Sequence, residues 1–69
     1  NSVVPELLYG DGFTIKIPEQ QEYNYTFYSI DGRLVDSGSL TQTSKFQIEI
    51  PLIIHLQDEE GATTILKKL

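Results

Sequence analysis

His55 is the only histidine in the chain, and imidazole is the side chain whose charge changes most readily near neutral pH. It is therefore the first candidate for a general base or a metal ligand. No serine, aspartate or second ligand stands at triad or metal-site spacing around it, and it sits between Ile54 and Leu56. His55 reads as a strand residue on the less buried face. Asp58, Glu59 and Glu60 could offer carboxylate oxygens to calcium. They lack the alternating aspartates of a calcium loop, and Gly61 follows directly, so a solvated acidic turn is expected. Gly10-Asp11-Gly12 has neither a following helix nor a lysine at phosphate-loop spacing and reads as a turn. Asn24-Tyr25-Thr26 matches the N-glycosylation pattern but falls inside a predicted strand, where the match reads as coincidence. These residues imply a chain without catalytic residues, bound metal, cofactor or small-molecule substrate. They imply no enzyme.

The aromatic residues carry more information. Tyr9, Tyr23, Tyr25 and Tyr28 could form a binding platform. Tyr23 and Tyr25 share a strand face with Phe27 and are expected in a core. Tyr28 points the other way with Leu34, either as an exposed contact surface or as a second face packed under neighbouring elements. Lys67 and Lys68 are expected to be solvated and to offset the acidic turn.

The elements that must position these residues are strands. Tyr25 to Val35, YTFYSIDGRLV, is an aromatic β-prone run, an Asp-Gly turn, and a second short run, which is a strong hairpin signal. Gly32 supplies the positive φ of the turn. A two-residue Asp31-Gly32 turn would set Phe27 opposite Asp36. A three-residue Ile30-Asp31-Gly32 loop would set Phe27 opposite Val35. The second register is preferred, because it groups Tyr25, Phe27 and Val35 and keeps Asp36 away from the aromatic face.

Strict alternation predicts a strand at Phe13-Thr14-Ile15-Lys16-Ile17 and another at Phe46-Gln47-Ile48-Glu49-Ile50, with Phe46, Ile48 and Ile50 inward. Tyr23 to Ser29 and Leu52 to Gln57 are strands, the latter with Leu52, Ile54 and Leu56 on one face. The hairpin return is expected to stop near Ser37, broken by Gly38 and Ser39. Leu40 to Thr43 is a short piece before a Thr43-Ser44 turn, and Ala62 to Lys68 is the last strand. Residues 1–12, beginning Asn1-Ser2-Val3-Val4-Pro5, form a lead-in with one short edge strand. Six or seven short strands without a helical period predict an all-β sandwich or small barrel.

Composition sets the outer bounds. At 69 residues this is a single domain, and such a domain buries only roughly 60% of the surface its unfolded chain exposes. There is no cysteine to staple it. Its open edge strands make a dimer through those edges an expectation. A net charge of −5, with five dispersed basic residues, argues against nucleic acid binding. Leu52-Ile53-Ile54 is the longest apolar run, so no transmembrane segment is expected. No signal peptide is visible at Asn1 and no lipidation motif at Leu69.

From Tyr25 onward the chain resembles the C-terminal sorting domain of the type IX (Por) secretion system of Bacteroidetes-type bacteria. That family has an apolar-aromatic strand leading into Asx-Gly-Arg/Lys-x-Val, matched by Tyr25, Phe27, Tyr28, Asp31, Gly32, Arg33 and Val35, with Ser29 where an Asp or Asn is common. An isoleucine-rich strand follows, resembled by Phe46 to Ile50. The family closes with a strand, a polar Gly-containing turn and a threonine-rich strand ending near Lys-Lys-Leu. Leu52 to Leu56, Asp58 to Gly61, and Thr63-Thr64-Ile65-Leu66-Lys67-Lys68-Leu69 resemble that order. The chain departs from the family at Ile50-Pro51-Leu52, where many members carry Leu-x-x-Gly-x-Tyr, and near Val4-Pro5-Glu6, where an Asn-Pro is usual.

The resemblance implies a seven-stranded, immunoglobulin-like β-sandwich acting as a non-catalytic address for a larger secreted protein. Its partners would be the outer-membrane translocon and a sortase-like peptidase. Its location would be the periplasm in transit, then the cell surface or medium. The recognition residues carried over are Tyr28, Asp31, Gly32, Arg33, Gly61, Thr63, Thr64, Ile65, Lys67, Lys68 and Leu69. An immunoglobulin-like accessory or interaction module of an extracellular or cell-surface protein is the alternative reading.

Overall fold

Alternating apolar and polar residues place one set of side chains on each face of a strand, so a chain with several such stretches can bury its apolar sets only by stacking two sheets. The computed structural model, which describes residues 4–69, does this with seven strands: β1 (Glu6–Gly10), β2 (Gly12–Lys16), β3 (Tyr23–Ser29), β4 (Leu34–Leu40), β5 (Ser44–Phe46), β6 (Leu52–Asp58) and β7 (Thr63–Lys68). The first three residues of the predicted lead-in lie outside the described residues. Its edge strand is β1, which begins directly after Pro5.

All pairings are antiparallel. One sheet has the order β1-β2-β5 and the other β4-β3-β6-β7. This is an immunoglobulin-like arrangement in which the fourth strand pairs with the third, rather than joining the first, second and fifth. Phe13, Ile15 and Ile17 from one layer meet Tyr23, Phe27, Leu52, Ile54 and Leu56 from the other, and all are buried. Phe13 stacks on Phe46 with ring centroids 5.4 Å apart, and Phe27 meets both rings edge-on at 5.8 Å and 5.0 Å. Such aromatic pairs add about 0.5–1.5 kcal/mol each beyond the area they bury.

The two hairpins of the larger sheet share one construction. In each, a three-residue loop ends on a glycine with positive φ: Ile30-Asp31-Gly32 with Gly32 at 91°, and Glu59-Glu60-Gly61 with Gly61 at 90°. Ser29 N–H donates to Arg33 O at 2.8 Å, and Asp58 N–H donates to Ala62 O at 2.9 Å. In each, the residue before the loop also caps it. Ser29 Oγ accepts from Arg33 N–H at 3.2 Å, and Asp58 Oδ1 accepts from Ala62 N–H at 2.9 Å.

The preferred hairpin register holds only near the turn. Tyr28 faces Leu34, but a bulge then inserts Val35, and Phe27 faces Asp36. Val35 therefore does not join Tyr25 and Phe27. The burial cost that argued against Asp36 opposite Phe27 does not arise. β4 is an edge strand whose side chains are exposed as far as Ser39, and Asp36 is solvated while accepting a hydrogen bond from Tyr25 Oη at 3.3 Å.

Three further expectations are corrected. β4 runs on through Gly38 and Ser39 to Leu40, because β3 supplies its ladder and the Tyr25 ring lies over Gly38, where a Cβ would come within 2.8 Å of the phenol oxygen. Ser44 begins β5 rather than closing a turn, while Thr43 Oγ1 accepts from Ile17 N–H at 3.2 Å. The strand at Phe46 to Ile50 stops at Phe46. Ile48 packs against the core, but Ile50 is exposed, because this segment crosses from one sheet to the other.

Candidate functional site: the outer face and open edge of the larger sheet

Register decides which side chains share the outer face of the four-stranded sheet. Leu34, Tyr28, Ile53 and Lys67 form one row across it. Thr26, His55 and Ile65 form part of the next, and Asn24, Gln57 and Thr63 part of a third. The face is thus apolar at the end carrying the Asp31-Gly32 turn and polar at the end carrying the acidic turn. Leu34 and Ile65 are 63% and 61% exposed, so the second sheet does not cover this side. Tyr28 and Leu34 do pair on this outer face, beside Ile53 and Ile65, with Leu34 and Ile65 exposed and Tyr28 and Ile53 half-buried.

His55 lies on this face with its ring edge-on to Tyr28 at 5.1 Å. It borders a shallow polar groove of about 210 Å³ with Asn24, Thr26, Gln57 and Thr63. That volume is below the roughly 300–1,000 Å³ of typical small-molecule sites. Among the described residues, no three carboxylate, imidazole or thiol groups converge as metal ligands.

The terminal strand divides by parity. Asp58 and Ala62 form a hydrogen-bonded pair, so alternation along the antiparallel ladder makes Leu56–Thr64, Ile54–Leu66 and Leu52–Lys68 hydrogen-bonded pairs as well. The backbone groups of Thr63, Ile65 and Lys67 then point away from β6. β7 is the last strand of its sheet, so those groups lie on an open edge. Among the described residues, β1 approaches this edge, and Leu69 N–H donates to Tyr9 Oη at 3.0 Å at its end.

Thr64, Leu66 and Lys68 face the interior instead. Lys68 was expected to be solvated but is buried, with 5% of its surface exposed. Its Nζ donates to Ile48 O at 2.9 Å and to Ile50 O at 3.0 Å, and lies 5.6 Å from the centroid of the Phe13 ring. The ammonium satisfies two carbonyls of the crossing segment, which no strand partner would satisfy. Its position follows from period 2: with Leu66 inward, Lys68 must share that face.

The residues carried over from the resemblance therefore gather in two places. Asp31, Gly32 and Arg33 sit at the β3–β4 turn, where Arg33 Nε pairs with Asp31 at 3.4 Å and Ser29 Oγ donates to Asp31. The register sets that turn at the same end of the sheet as Lys67, Lys68 and Leu69, two to three strand spacings away, or roughly 10–14 Å. Tyr28 and Lys67 share a row. Gly61, Thr63 and Thr64 lie toward the opposite end.

Two tyrosines on the inner side of β3 titrate abnormally. Burial, helped by the Asp58 carboxylate, raises the Tyr23 phenol above its ordinary value. Burial raises Tyr25 too, reinforced by the charge of Asp36 and by the hydrogen bond to it. Both groups stay neutral and structural at physiological pH. No family model, curated protein or solved structure matches this chain.

Proposed function

We propose that this chain is a non-catalytic sorting domain of the type IX secretion class, directing a larger protein across a bacterial outer membrane. The observation that carries the reading is the arrangement of β7. Its odd-numbered residues display their side chains outward and turn their backbone groups to an open edge, while Thr64, Leu66 and Lys68 anchor the strand. A receptor can extend such an edge by main-chain hydrogen bonds and read alternate side chains for specificity.

On this reading Thr63, Ile65 and Lys67 are the address, and Lys68 is the residue that holds the address in place. The Asp31-Gly32-Arg33 turn at the same end of the sheet offers the translocon a second contact. A sortase-like peptidase acts on the chain after transit, and the protein passes from periplasm to cell surface or medium. The test is export of a periplasmic reporter with and without this domain in a host that has the machinery.

The apolar patch of Leu34, Tyr28, Ile53 and Ile65, spread over two neighbouring rows, favours a second reading, an immunoglobulin-like module docking on a neighbouring extracellular domain. Deletion of the domain would then weaken its neighbour and leave export intact.

A further inference from the structure

We infer that two copies of this chain pair through β7, antiparallel about a two-fold axis at Ile65, to make one continuous eight-stranded sheet. The inference does not depend on the sorting reading. The edges of the molecule are built differently. β4 carries a bulge at Val35 and an aspartate on its inner side at Asp36, both devices that discourage edge pairing. β5 is only three residues long. The open stretch of β7, Thr63 to Lys67, has no bulge, proline, glycine or carboxylate, and its centre is the exposed, β-branched Ile65.

Geometry selects the register. Within β7, the ladder to β6 leaves the backbone groups of Thr63, Ile65 and Lys67 pointing to the open edge. Centring the axis on Ile65 pairs Ile65 with its own copy and Thr63 with Lys67 of the second molecule, and uses every one of those groups in about six hydrogen bonds. Charge selects the same orientation. The β6–β7 hairpin is acidic at its turn, with Glu59 and Glu60, and basic at its far end, with Lys67. Antiparallel pairing sets each Lys67 beside the second copy's acidic turn, twice by symmetry. Parallel pairing would set like charges together.

An edge contact of this size is modest, so a dimer Kd on the order of 1–100 μM is expected. Sedimentation velocity of the 69-residue chain across that range is the test. The expected result is a concentration-dependent monomer–dimer equilibrium. Ile65→Pro should abolish it without unfolding the chain, because the N–H it removes points to the open edge. Lys67→Glu should weaken the dimer roughly fivefold to tenfold, and adding Glu60→Lys should restore much of the loss.

A second variant keeps the inference testable if Ile65→Pro fails to fold. Ile65→Cys puts a lone thiol on the axis, with paired Cα atoms about 5.5 Å apart, within disulfide range. Mild oxidation should join two chains through it, and should not do so for Ile30→Cys at the far turn. A chain that stays monomeric to about 500 μM, or a dimer that neither cross-links at 65 nor responds to Ile65→Pro, would overturn the inference.

Discussion

Lys68 Nζ lies 2.9 Å from the carbonyl oxygen of Ile48, and the residues between them in sequence include the whole β6–β7 hairpin. The end of the chain is thereby tied to the segment that crosses between the sheets. Lys68→Met keeps the apolar stem but orphans two part-buried acceptors, and should cost about 2 kcal/mol in urea unfolding. Lys67→Met, one residue away on the outer face, should change stability by less than about 0.5 kcal/mol. Equal effects of the two substitutions would contradict this division of labour.

Gly12 and Gly61 both have positive φ, at 80° and 90°, but their surroundings differ. A Cβ on Gly12 would lie 2.2 Å from the carbonyl oxygen of Phe46, whereas one on Gly61 would meet open space. Gly61→Ala should therefore cost only left-handed strain, about 1 kcal/mol. Gly12→Ala adds displacement of β5 and should cost about 3 kcal/mol or more by the same unfolding measurement.

Alkaline pH should destabilise the fold through β3. Tyr23 and Tyr25 have folded-state values raised above the 10.0 of a free tyrosine. The folded protein then holds these protons more tightly than the unfolded chain, so stability is full below that value and falls as pH climbs from it through the raised ones. Unfolding midpoints taken at about pH 9 and about pH 11 should show the fall. It should shrink in Tyr25→Phe, which cannot ionise beside Asp36. A flat profile would remove the tyrosines from the account.

Phe27 is fully buried and touches the rings of Phe13, Tyr25 and Phe46. Phe27→Ala should cost about 3–5 kcal/mol, which is enough to unfold a domain of this size. Loss of the near-ultraviolet aromatic signal at 25 °C would report it.

Much of the fold was legible because alternation is a local signal. β2, β3 and β6 follow from the apolar sets at Phe13 and Ile15, at Tyr23 and Phe27, and at Leu52, Ile54 and Leu56. Both turns follow from their glycines. What local pattern could not give was the effect of a neighbour. β4 survives Gly38 because Tyr25 covers it, and β5 ends at Phe46 because the chain must cross the sandwich. The bulge at Val35 was hidden for the same reason: Asp36 is tolerable opposite Phe27 only on an edge that the second sheet does not reach. Of the candidate site, the outward position of Tyr28 and Leu34 was readable. The interior position of Lys68 was readable in principle from the parity of Leu66, but two adjacent terminal lysines suggest solvent.

The most direct test of the sorting account is an export assay with folded variants. A periplasm-directed fluorescent reporter would carry residues 1–69, either unchanged or with Ile65→Ser and Lys67→Glu together, in a host with the type IX machinery. The account predicts that the unchanged fusion reaches the cell surface or medium and that the edge variant, equally folded by circular dichroism, stays in the periplasm. Retention of the folded, unchanged fusion in the periplasm would contradict the proposed function, and equal export of both would contradict the role given to β7.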